Sequence, residues 1–155
     1  MACDLVLNER SFAPSSPVPL AHRDLRPTVH APAEARDFAV DTLTMLGRIP
    51  PDIIYTAQLL TSELVTNAVL HARTEIHVGI AYDDRTLLIT VADGHAHTAP
   101  AQPSREVDYE ESGRGMTIVA GLADDFGWQP RPGLVGKVMW ALVAIDRRQP
   151  LASVL

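Results

Sequence analysis

Leu59-Leu60-Thr61-Ser62-Glu63-Leu64-Val65-Thr66-Asn67-Ala68-Val69-Leu70-His71-Ala72 is the stretch on which the reading of this chain turns. Glu63, Asn67 and His71 recur every fourth residue, so on a helix they stack along one side. Leu60, Leu64 and Ala68 lie beside that stripe at the same spacing. A carboxylate can polarise a water or hydroxyl, an amide oxygen can serve a hard metal ion, and an imidazole can bond either. The competing reading is the solvated side that every amphipathic helix carries.

The neighbouring sequence gives this helix its setting. Pro50-Pro51-Asp52 opens it, with Asp52 near the positive N-terminus, and it is expected to end near His71 to Arg73. Before it, a helix fits Ala33 to Leu46, stopped by Gly47. After it, Ile76, Val78, Ile80 and Tyr82 alternate with His77, Gly79 and Ala81. Beyond the turn at Asp83-Asp84, Leu87, Ile89, Val91 and Asp93 alternate with Leu88, Thr90 and Ala92, which predicts a hairpin. Residues 94 to 112 show no periodicity and contain Pro100 and Pro103, the pattern of a functional loop or a disordered one. A short helix is expected from Gly113–Gly115 to Leu122, a strand over Asp125 to Gln129, and the strongest strand over Gly136 to Ile145. This order predicts an α/β (α+β) two-layer sandwich, with a mostly antiparallel mixed sheet and helices on one face. At the N-terminus, Asp4 to Phe12 can form an edge strand, and five prolines between Ala13 and Pro32 predict an extended connector. The expected divisions are an N-terminal segment 1–32, a domain 33–146 and a tail 147–155.

Composition narrows the function. The chain has 155 residues, 46% of them hydrophobic, which suits one globular domain. A net charge of −6 argues against a nucleic-acid binder, and no basic stripe is present. No apolar run reaches the length of a membrane span, the N-terminus does not read as a secretory signal, and Cys3 is the sole cysteine; these features lead to an expectation of a cytoplasmic protein.

Two further elements carry chemistry. Asp93 stands where the alternation calls for a core residue, and there it can accept a hydrogen bond from a ligand donor such as an exocyclic amine; the alternative is that Asp93-Gly94 merely begins a turn. Gly113-Arg114-Gly115 opens an apolar helix, where backbone N–H groups and a cation favour an anion. His95 and His97 lack a third ligand at familiar spacing and read as a solvated loop. Trp128 and Trp140 are expected in the core or an interface.

Four blocks appear together and in order: Glu63-Leu-Val-Thr-Asn67-Ala-Val-Leu-His71, Val91-Ala-Asp93-Gly94, Glu111-Ser-Gly113-Arg-Gly115-Met116 and Gly136-Lys-Val-Met-Trp140. They resemble the N box and glycine boxes of the GHKL (Bergerat-fold) ATPases, the superfamily of DNA gyrase and the histidine kinases. The nearest branch in pattern is the small anti-sigma-factor serine kinases and related ATP-binding regulators of actinomycetes. The resemblance spans roughly residues 30 to 145.

It implies that Asn67 holds Mg²⁺ bridging the phosphates of ATP, that Glu63 is the general base or a water-orienting carboxylate, and that Asp93 accepts from the adenine amine. Gly113, Arg114 and Gly115 would line the phosphates, and residues 94–112 would form a lid. His71, Gly94, Met116 and Lys137 fall at further nucleotide-binding positions. The implied partners are a sigma factor and an anti-anti-sigma protein, with the chain itself a homodimer and neither nucleic acid nor membrane involved. Two departures point to weaker nucleotide binding. Asp93-Gly94-His95-Ala96-His97 lacks the family's later glycines, and Gly136-Lys137 stands where the family often has Gly-Thr. Alternative functions are a non-catalytic ATP-binding regulator, the catalytic module of a sensor histidine kinase, and an interaction protein with a degenerate pocket.

Overall fold

The computed structural model describes residues 18–83, 85–95 and 114–145; for residues 114 and 115 it describes the backbone alone. The helix carrying Glu63 and Asn67, α2, runs Pro51–His71. Pro51 occupies its first turn, where a missing N–H costs no hydrogen bond, and Asp52 complements the N-terminal dipole. It ends at Ala72, and Arg73 turns the chain out with φ 54°. Ile53, Ala57, Leu60, Leu64, Val65 and Ala68 form its buried stripe.

Helix α1, Ala31–Met45, lies alongside α2 and buries Ala35, Phe38, Ala39 and Leu43. The Arg36 guanidinium donates to the Ser62 hydroxyl at 3.0 Å, a polar tie between the two helices. Five strands form one sheet: β1 Val18–Leu25, β2 Ile76–Tyr82, β3 Thr86–Asp93, β4 Asp125–Pro130 and β5 Lys137–Ala144. Their spatial order is β1-β2-β3-β5-β4. A short helix, α3, Arg114–Leu122, packs against α2 and reaches β4.

Register fixes which side chains face the helices. Val78, Val91 and Met139 lie in one row across β2, β3 and β5, and Ile80, Ile89 and Ala141 in the next. These rows join the helix stripes, with Met116 and Val119 of α3, in one apolar core. Trp128 packs against this core, whereas Trp140 lies on the opposite face of the sheet.

Three expectations change. Every pairing is antiparallel, so the sheet is not mixed among the described residues. The stretch expected as a connector contains β1, a full edge strand. Pro19 is tolerated there because an edge strand need not donate on its outer side. The strand was hidden from sequence because only Leu25 of its eight residues is buried, so no alternation shows. Helix α1 also begins two residues earlier than expected, at Ala31. The strand expected over residues 4–12, most of the 94–112 loop and the tail lie outside the described residues.

Candidate functional site

The chemistry concentrates at one end of the two central strands. Strand β3 continues through Asp93, which pairs in register with Lys137, the first residue of β5. Asp93 lies two residues after Val91 and Lys137 two before Met139, so both fall on the helix-covered side. Asp93 is fully buried and Lys137 is 5% exposed. The Lys137 ammonium stands 3.8 Å from Asp93 Oδ2, an ion pair too long for a hydrogen bond. Burial pushes the Lys137 amine below its ordinary value, and the Asp93 charge opposes that shift.

The two carboxylate oxygens of Asp93 differ. Oδ1 accepts the His95 backbone N–H at 3.0 Å, a local turn around Gly94. Oδ2 is buried and has no hydrogen-bond partner. A buried carboxylate oxygen without a donor is costly, so it is an acceptor left open for an incoming N–H group. Asp93 is therefore both a core-facing strand residue and the start of a turn; the two sequence readings are not exclusive.

The surrounding backbone is held closely. Gly94 donates its N–H to Thr74 Oγ1 at 2.7 Å, tying the end of β3 to the segment after α2. Gly136 has φ +123°, and a Cβ there would lie 1.9 Å from the Asp93 carbonyl oxygen. Only glycine lets the chain pass so near. The sequence places Gly136 in the last of the four blocks, directly before the strongest strand, without a site role of its own; nothing in the sequence marks Thr74.

Helix α2 brings the remaining polar groups. It packs on β3 and β5, the strands that carry Asp93 and Lys137, and on α3. Glu63 and Asn67, one turn apart, are half-buried, while Leu60, Leu64 and Ala68 beside them are buried in the core. His71, in the last turn, is exposed, so the three-residue stripe does not share one environment. The Met116 side chain is almost wholly buried and serves the core. Gly113 and His97 lie outside the described residues, and the backbone of Arg114 and Gly115 forms the start of α3. No group of three or more His, Cys, Asp or Glu side chains gathers in a metal-binding cluster among the described residues.

Residues 25–141 match the family model of the histidine kinase-like ATPase domain. The chain belongs to that family. Its ATPase domain thus takes in the sheet from Leu25, all three helices and most of β5. No curated protein matches the chain. Membership makes this an ATP-binding domain of the GHKL type, and the open Asp93 oxygen suits a nucleotide bearing an N–H donor. Among the described residues of the ATPase domain, no helix is long and apolar enough to cross a membrane.

Proposed function

We propose that this ATPase domain is a cytoplasmic, Mg²⁺-dependent serine/threonine-protein kinase of the anti-sigma-factor kind, regulating transcription by partner switching. The observation that carries this reading is the Glu63/Asn67 pair, one turn apart and half-buried on the helix that packs against the strands of Asp93 and Lys137. In this reading Asp93 Oδ2 accepts the adenine amine, with Lys137 beside the base. Asn67 would hold Mg²⁺, which when bound neutralises charge on the phosphates. Gly113, Arg114 and Gly115 would meet the phosphates at the start of α3, where N–H groups are free to bind an anion. Glu63 takes the proton from the attacking serine hydroxyl of an anti-anti-sigma protein. Gly94 keeps its part as the hinge of the turn that fixes Asp93. His71 and Met116 act at most by position, the first exposed and the second in the core. The active unit is a homodimer that binds a sigma factor.

The test is phosphoryl transfer from labelled ATP to candidate partner proteins by wild type and Glu63→Gln. The amide keeps the shape of the carboxylate but cannot accept a proton. ATP affinity should hold while transfer falls on the order of 10²–10⁴-fold. Transfer undiminished in Glu63→Gln would remove Glu63 as the base.

A second reading, a non-catalytic ATP-binding regulator, is favoured by one observation: a buried Lys137 amine at the base site, in the place of a hydroxyl. No transfer to any partner, together with nucleotide-sensitive binding of a sigma factor, would select it.

A further inference from the structure

We propose that Thr74 is a positioning residue for base recognition, its hydroxyl holding the turn that aims the open oxygen of Asp93 at the amine of a bound base. This role presupposes the reading in which Asp93 accepts the amine of ATP. An aspartate side chain turns about two bonds, so which of its oxygens faces a ligand must be fixed by its surroundings. At Asp93 the His95 N–H makes that choice: it donates to Oδ1 at 3.0 Å and leaves Oδ2 without a hydrogen-bond partner. The bond spans Gly94, the residue type with the freest backbone. The turn therefore keeps its shape only if the Gly94 peptide is itself held. Gly94 donates its N–H to Thr74 Oγ1 at 2.7 Å. The Thr74 hydroxyl proton goes to the Glu75 carbonyl at 3.3 Å, which leaves its oxygen to accept.

The fit around Gly94 is close on both sides. An added Cβ there would lie 3.3 Å from Thr74 Oγ1 and 3.4 Å from its Cβ and Cγ2, so the threonine side chain rests flush against the glycine. Strand β3 runs between β2 and β5. Thr74 stands two residues before β2, and Gly136 one residue before β5. A Cβ on Gly136 would come within 2.9 Å of Gly94 Cα. The Asp93-Gly94 peptide is thus gripped from the side of each neighbouring strand. Thr74 also follows closely on α2, where Arg73 turns the chain with φ 54°, so it joins the helix of Glu63 and Asn67 to the strand of Asp93. Once the turn is loosened, the Asp93 carboxylate can rotate toward the Lys137 ammonium, now 3.8 Å from Oδ2. Closing that gap to a charge-assisted hydrogen bond would take the open acceptor away from the ligand. A threonine that only ended the helix would affect every nucleotide alike; one that aims Asp93 affects the nucleotides that carry the amine.

The test is a titration of the full chain with ATP and with purine riboside triphosphate, which lacks only the 6-amino group. Wild type should favour ATP roughly 10- to 150-fold, the worth of a hydrogen bond to a charged oxygen. Thr74→Val keeps the shape of the side chain and removes the acceptor, so this preference should fall several-fold while affinity for the analogue holds. Thr74→Ser returns the hydroxyl and should return the preference. Equal weakening of both nucleotides in Thr74→Val would make Thr74 a structural residue only and overturn the proposal. An undiminished preference in that variant would overturn it too, while leaving Asp93 as the reader of the amine. No preference in wild type would overturn it together with the reading of Asp93 that it presupposes. Should Thr74→Val fail to fold, Thr74→Ala, which removes the same acceptor with less bulk, is read in its place. Amide exchange in the unsubstituted chain then checks the tie directly. The Gly94 and His95 N–H groups should exchange slowly, and exchange at the rate of a free peptide would refute the proposal.

Discussion

Lys137→Met should expose how much the buried ion pair contributes. The substitution keeps the length of the side chain and removes its charge, leaving a fully buried Asp93 with only the His95 N–H as donor. Two unit charges 3.8 Å apart attract by about 4 kcal/mol at an effective dielectric of about 20. The expected loss is therefore about 3–4 kcal/mol at neutral pH. The sign of the wild-type pH dependence follows from proton counting: between the lowered folded value of Lys137 and 10.5 the unfolded chain binds more protons, so stability gains with pH there, and Lys137→Met should lose that gain. Urea unfolding of wild type, Lys137→Met, Asp93→Asn and the double variant across pH 5–9 measures this. A coupling energy below about 0.5 kcal/mol would refute the ion-pair reasoning.

Three other outcomes are expected. Asp93→Asn should weaken ATP binding by about 1–3 kcal/mol, roughly 5- to 150-fold in a titration, because Oδ2 is the open acceptor; unchanged affinity would return Asp93 to a structural role. Asn67→Ala should abolish the Mg²⁺ dependence of ATP binding in the same titration, and equal affinities with and without Mg²⁺ in both proteins would remove Asn67 as a ligand. Gly136→Ala should destabilise the fold by about 2–4 kcal/mol in thermal or urea unfolding, since its Cβ would strike the Asp93 carbonyl and its φ of +123° is strained for alanine; near-wild-type stability would show that the β4–β5 loop shifts freely.

Much of the site is written in short-range pattern. The four-residue spacing of Glu63 and Asn67 beside Leu60, Leu64 and Ala68 is a helical signal, and α2 follows it to within a residue. The alternation over 76–82 and 87–93 likewise gives the hairpin, with Asp93 in a core position. Edge strand β1 gave no such signal, because its side chains are almost all exposed.

Periodicity thus determined which residues share a face, and residue chemistry marked an acid, an amide and a glycine-rich stretch as candidates for an anion site. Periodicity is local, set by 3.6 residues per turn or two per strand repeat. Only the tertiary structure decided that Lys137 stands against Asp93, forty-four positions earlier in the chain, through the register of β3 on β5. It also decided that Gly136 must be glycine because the Asp93 backbone crosses there, and that Thr74 holds Gly94. It separated His71, exposed, from Glu63 and Asn67, and turned Met116 into the core. Those outcomes depend on which strands become neighbours and at what register, and long-range packing of the whole core sets that choice.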